Sequence, residues 1–211
     1  MRTVDLSHPV TTGMPVHPGD PAVTVSPALD LATDGCAVTA LHLGSHSGTH
    51  VDAPSHVVPG GATLDQLDLG LFTGPALVVD ARGRAPGSTI GWEPFAPRAG
   101  VLAAGVVVLV RTGWDEHWGS ARYEQHPHLA PDVAERLLAA GVRTLGVDAL
   151  SPDPLHDLTF HRTWLGAGGV VAENLRGLGR VDELVHPHVH LFPLRVSGGD
   201  GAPVRAVATG R

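Results

Sequence analysis

Residues 106–147, VVVLVRTGWDEHWGSARYEQHPHLAPDVAERLLAAGVRTLGV, decide the fold class. The run 106–110 is almost wholly β-branched and predicts a buried strand. In 131–140 the apolar residues fall at 133, 137, 138 and 140, and Gly141 follows directly, a pattern that predicts a helix with one buried face. Residues 144–147 read as a second buried strand. Strand, helix and strand in that order form a β-α-β unit, so the chain is expected to be α/β with a mixed sheet.

Outward from this unit, β-branched content and alternation predict further strands at 38–43, 76–80, 170–171 and 188–196, and a weaker helix over about 155–165. The 27 glycines and 18 prolines punctuate short elements, and there is no linker, charge block or internal repeat. The 211 residues are therefore expected to form one domain, 1–211. With 43% apolar and 17% charged residues the chain can bury a sizeable core, which excludes disorder.

Charge and cysteine content narrow the function. All 14 basic residues are arginine, which excludes Schiff-base and P-loop chemistry dependent on lysine. The net charge is −7 and no basic run exists, so neither nucleic acid nor an anionic membrane is an expected partner. Cys36 is the only cysteine, which excludes an intrachain disulfide or a thiolate zinc cage. The N-terminal MRTVDLSHPV lacks an apolar leader segment, and the longest apolar run, 101–110, is half of the roughly 20 residues a membrane span needs. A cytoplasmic protein acting on a small-molecule substrate is the expectation.

Fourteen histidines against one tyrosine point to where the chemistry lies. Residues 46–56, HSGTHVDAPSH, hold His46, His50, Asp52 and His56 within eleven positions. Gly48, the β-branched Thr49 and Val51, and Pro54 disfavour a helix. An extended segment is expected, in which residues 46, 48, 50 and 52 face one side and Gly48 leaves room for an ion. Two imidazoles and a carboxylate are the ligand set of catalytic zinc and other divalent ions, which keep a position open for water or substrate. Without a cation such groups would repel or strand one another. His56, beyond Pro54, is either a fourth ligand or an unmetallated base. His161 and Glu173 stand in the apolar setting FHRTWLGAGGVVAENL, where their identity alone does not separate a ligand from a surface or capping residue.

HSGTHVDAPSH resembles the H-x-G-T-H-x-D-x-P-x-H signature of the cyclase family of metal-dependent hydrolases, which includes bacterial kynurenine formamidases and isatin hydrolases. The resemblance runs from DLSHPVTTGMPVHPGDP through RTGW, HPHLAPDVAERL and GVDALSPD to HRTWLGAGGVVAENL and GGDGAPVRAVA. It implies a swivelling β/β/α fold assembled as a homodimer or homotetramer. It implies zinc or manganese, with His46, His50 and Asp52 holding a first ion and Asp52, His161 and Glu173 a second in members with two. His56 would be the proton donor and acceptor, and the reaction would be hydrolysis of an amide, lactam or ester bond by activated water. One departure concerns substrate: the kynurenine formamidases carry tryptophan before Pro-Gly-Asp, where this chain has His17 as the candidate substrate contact. An imidazole offers less apolar area and adds a hydrogen-bonding group.

Other readings compete. A cyclase or dehydratase acting on a small metabolite fits the same family. His50, Asp52 and a distal His161 outline the facial triad of non-haem iron oxygenases, though His46 and Glu173 would then be surplus. A module that only sequesters metal would give no role to His56. His186, His188 and His190 alternate on one face of an expected strand, either an H-x-H metal pair or, the favoured reading, a solvated or interface face. Arg111 is an ion-pair partner or a substrate contact at the end of a central strand. Phe72, Trp114, Phe160 and Trp164 read as core.

Overall fold

The β-α-β unit predicted from 106–147 forms the centre of the sheet. A computed structural model describes residues 1–211. In chain order the elements are β1 (Arg2–Asp5), β2 (Thr24–Leu29), α1 (Leu31–Asp34), β3 (Val38–His42), β4 (His50–Asp52), β5 (Thr73–Asp80), β6 (Thr89–Ile90), β7 (Val107–Arg111) and β8 (His128–Leu129). There follow α2 (Pro131–Ala139), β9 (Thr144–Val147), α3 (Thr159–Gly166), β10 (Val170–Glu173), β11 (His188–His190), β12 (Gly201–Pro203) and β13 (Val207–Gly210). Nine strands make one sheet in the order β1-β13-β11-β5-β7-β9-β10-β4-β12. Its centre, β5-β7-β9-β10, is parallel and its flanks are antiparallel, so the sheet is mixed as expected.

Period-two alternation in β7 feeds two cores. Val107 and Leu109 join Val4, Val51, Ala172, Ala202 and Ala208 in one cluster. That cluster draws on both outermost strands, β1 and β12, so the sheet curls around it. Val108 and Val110 face the other way and pack with Val133 and Leu137 of α2 and Phe160 and Trp164 of α3. Strands covered on both faces read as continuous apolar runs, which is why 106–110 was legible. In β9, Gly146 is needed for close packing: a Cβ there would stand 2.6 Å from Leu175 Cδ1 and 2.8 Å from Leu109 Cδ2. Phe72, Trp114, Phe160 and Trp164 are all buried, as expected.

Two expected elements are shorter than their patterns suggest, and a third stands apart from the main sheet. The helix over 155–165 begins only at Thr159, because the Asp157 carboxylate accepts from the Leu158 and Thr159 amides and fixes a turn before it. The strand 188–196 ends at His190, short of Pro193, which has no amide hydrogen for a ladder. Residues 38–43 do form a strand, but it pairs only with β2, a partner whose Pro27 disguised it. No helix is long and apolar enough to cross a membrane.

Candidate metal centre

Strands β4 and β10 pair antiparallel with Glu173 opposite His50 and Val171 opposite Asp52. Because side chains alternate, burying Val51 in the curled core turns His50 and Asp52 to the opposite face, where α3 presents His161. The Asp52 carboxylate is the shared centre. Its Oδ1 lies 2.7 Å from His46 Nδ1 and 3.2 Å from His50 Nε2, and its Oδ2 lies 3.3 Å from His161 Nε2. Glu173 closes the group, with Oε2 3.4 Å from His50 Nε2 and Oε1 3.3 Å from His161 Nε2. The candidate ligand atoms of His46, His50 and Asp52 lie within 4.8 Å of one another, as do those of Asp52, His161 and Glu173.

His46 reaches this point by a route other than the expected one. Only His50–Asp52 is strand; residues 45–49 turn, with Gly48 at φ 65°. A positive φ breaks the two-residue period, so 46–52 is not one extended segment. Nor does Gly48 leave room for an ion, since a Cβ there would meet Met14 Cε at 2.6 Å. The glycine serves the turn and the packing of Met14.

Charge in the cluster is finely opposed. Burial pulls the His50 imidazole down, but Asp52 and Glu173 outweigh it and push it up to about 10. Burial likewise opposes protonation of His161, and Asp153, Asp52 and Glu173 hold it well above the usual histidine range. Burial raises Asp52, yet His50, His161 and His46 keep it well below the carboxylate range. Imidazoles and carboxylates in the cluster thus oppose one another's charge. The balance leaves orphans: His50 Nε2 and Glu173 Oε1 are buried without a hydrogen-bond partner, because their neighbours at 3.2–3.4 Å lie outside hydrogen-bonding geometry. An unpaired buried polar atom costs about 1–3 kcal/mol. A divalent cation would satisfy both, and imidazole with carboxylate is a donor set that binds one, so the residues fit the ion the family implies.

Carboxylates that sequence spacing did not reveal orient these groups. Asp153 accepts from His161 Nδ1 at 2.7 Å, from the His161 amide at 2.9 Å and from the Phe160 amide at 2.7 Å. His161 thus carries a proton on Nδ1 and turns Nε2 to the centre. Asp200 Oδ2 lies 3.0 Å from His46 Nε2 and 3.7 Å from His56 Nδ1. Both aspartates stand in stretches quoted for the family resemblance, SPD and GGDG, but nothing in their spacing separates them from turn residues.

His56 ends a single 3₁₀ turn, Pro54–His56, that begins where Pro54 stops the strand. Its ring centre is 4.0 Å from that of His46 and 5.9 Å from that of His161. Burial holds its pKa below the usual value despite the pull of Asp52, so at neutral pH it is unprotonated and able to accept a proton. His46, His50, His56, His161 and Glu173 all line a cavity of about 400 Å³. His17 forms part of the wall, with Nε2 3.2 Å from the Leu155 carbonyl and Nδ1 3.2 Å from that of Pro18. The other candidates lie elsewhere. Arg111 rests over Gly179 and faces Asp182 at 3.8 Å, the ion-pair alternative. His188 and His190 share the Thr73 hydroxyl at 3.1 and 2.9 Å.

Comparison with known proteins follows the same lines. The Cyclase family model matches residues 4–154. The kynurenine formamidase of Salinibacter ruber is 36% identical over 220 aligned residues, covering 98% of this chain and 97% of the relative. That of Paracidovorax citrulli is 37% identical, covering 96% and 94%. Isatin hydrolase A from Labrenzia aggregata shares the fold, with a TM-score of 0.83 at 23% identity over 99% of this chain and 93% of that one. A solved structure described as a potential metal-dependent hydrolase with cyclase activity gives 0.78 at 26% identity, covering 100% and 98%. A family match over most of the chain, with relatives above 30% identity along nearly its whole length, means that this protein belongs to the cyclase family and is a hydrolase.

Proposed function

We propose that the protein hydrolyses the amide C–N bond of a small formamide or lactam, at a centre where His46, His50, Asp52, His161 and Glu173 hold zinc or manganese. The observation that carries this reading is the orphaned pair His50 Nε2 and Glu173 Oε1, buried around a shared carboxylate and lining a cavity of small-molecule size. The likeness to kynurenine formamidases supports the formamide class. When bound, the ion supplies Lewis acidity, acidifying a water molecule and polarising a carbonyl.

The chain's own groups do the rest. His56 accepts the proton of the attacking water as the C–O bond forms and delivers it to the nitrogen as the C–N bond breaks. Asp200 lies beside both His46 and His56 and keeps their rings together. Asp153 fixes His161 and the Gly48 carbonyl fixes His50, so that each turns Nε2 inward. Val16, His17, Leu155 and Leu158 form the wall that receives the rest of the substrate. His17 in place of the formamidases' tryptophan makes that wall more polar, which favours a smaller or more polar group than an aromatic ketone side chain. The working form is proposed to be a homodimer or homotetramer in a reducing, cytoplasmic compartment, in keeping with the single exposed Cys36.

A panel of formamides, lactams, lactones and small esters, incubated with zinc- or manganese-loaded protein under nitrogen, tests the reading. Hydrolysis of a formamide or lactam is expected. Turnover that requires Fe(II) and dioxygen would establish the oxygenase instead, and ring closure without uptake of water would establish a cyclase.

A further inference from the structure

We propose that Asn174 is a positioning residue that sets the metal-binding tautomer of His50. The proposal rests on the metal-centre reading above. Asn174 follows Glu173 directly, is buried, and has φ 55°, one of two non-glycine residues with positive φ. Asparagine enters this left-handed region more readily than other residues with a side chain, because its short carboxamide can bond locally. Here every polar atom of the residue is engaged. Its amide donates to the Ala149 carbonyl at 3.0 Å and its carbonyl accepts from Thr49 Oγ1 at 2.6 Å. Its Oδ1 accepts from the Tyr123 hydroxyl at 2.8 Å, and its Nδ2 donates to the Gly48 carbonyl at 2.9 Å.

That carbonyl carries the argument. It also accepts from His50 Nδ1 at 2.8 Å, and a carbonyl cannot donate. His50 therefore holds a proton on Nδ1 and keeps Nε2 toward Asp52 and Glu173. Gly48 lies in a turn at positive φ outside the strand ladder, where its peptide has no side chain of its own to hold it. The carboxamide of Asn174 pins that peptide, and the Tyr123 hydroxyl pins the carboxamide. The chain of contact runs Tyr123, Asn174, Gly48, His50, and ends at the candidate ligand atom.

Zinc affinity of the metal-free protein, measured by competition with a chromophoric chelator, is the test, with ¹⁵N-histidine NMR of the zinc-loaded protein reading the His50 Nδ1–H. Asn174→Asp keeps shape and the Tyr123 bond but sets a carboxylate oxygen against the Gly48 carbonyl. Asn174→Gly removes the contact and relieves the positive φ. Both are expected to weaken zinc binding roughly 10- to 100-fold, the usual cost of losing an orienting partner, and to lose the protected Nδ1–H signal. Tyr123→Phe removes a single oxygen and is expected to weaken binding about 3- to 10-fold, the net worth of one hydrogen bond, which decides the matter if the Asn174 variants fail to fold. Variants that bind zinc as the wild type does, with the Nδ1–H intact, would overturn the proposal whatever their melting temperature. Failure of the wild type itself to bind zinc would instead overturn the metal-centre reading, and this proposal with it.

Discussion

Replacing Asp153 by asparagine separates a carboxylate that orients a ligand from one that merely fills a turn. The Asp153 carboxylate receives three N–H groups, from Phe160 at 2.7 Å on Oδ1 and from His161 amide and Nδ1 at 2.9 and 2.7 Å on Oδ2. Asparagine has one oxygen, and either rotamer fails. With its oxygen on His161, its amino group faces the Phe160 N–H and strands a buried donor. With its oxygen on Phe160, the amino group faces His161, whose backbone N–H is stranded and whose imidazole moves its proton to Nε2. That proton would then point at Asp52 and Glu173, 3.3 Å away, where the lone pair should be. Each rotamer costs about 1–3 kcal/mol of stability, roughly 2–12 °C in a chain of this length. The second also costs about 10- to 100-fold in metal affinity. Thermal melts of the metal-free protein and chelator competition with zinc read the two effects. A variant that melts and binds zinc like the wild type would refute the reasoning.

Other perturbations reach other parts of the account. His56→Ala should retain zinc while losing roughly 10²- to 10⁴-fold in rate, as metal analysis beside turnover would show; loss of zinc would make His56 a ligand. Gly48→Ala should lower the melting temperature, through about 1–2 kcal/mol of left-handed strain and through the 2.6 Å approach of its Cβ to Met14 Cε, yet bind zinc within a few-fold of wild type, whereas zinc loss without destabilisation would restore the idea that Gly48 makes room for an ion. Burial and Arg176 hold the His8 imidazole down at about 4, so between pH 6.5 and 4 the unfolded chain binds a proton that the folded chain refuses, and stability falls as pH drops through that window. Urea midpoints should show His8→Phe, which keeps the stacking on Trp118, losing less stability than wild type between pH 7 and 4.5; equal losses would mean that His8 does not titrate this way.

The sequence discloses the fold where burial is two-sided and the period is clean. Residues 107–110 and 144–147 fill both faces of the central sheet, and 131–139 has one apolar stripe, so each element follows from its own pattern. Periodicity misleads where one residue has another task. Gly48 bends the segment assumed to be straight, Pro193 ends a run that looked like strand, and Asp157 delays a helix that looked longer. The metal centre divides in the same way. His46, His50 and Asp52 lie within seven residues and announce themselves, whereas His161 and Glu173 come from the family resemblance. Asp153, Asn174 and Asp200 act through contacts that reach across 8 to 154 residues of chain, and no local pattern marks them.

Zinc titration of metal-free protein against hydrolysis of the best formamide or lactam substrate tests the central claim most directly. No turnover is expected without metal, activity should rise in proportion to added zinc or manganese to a plateau at one or two equivalents, and the His46→Ala, His50→Ala double variant should neither bind metal nor turn over. Full activity in the metal-free protein, or a double variant that binds and turns over like the wild type, would contradict it.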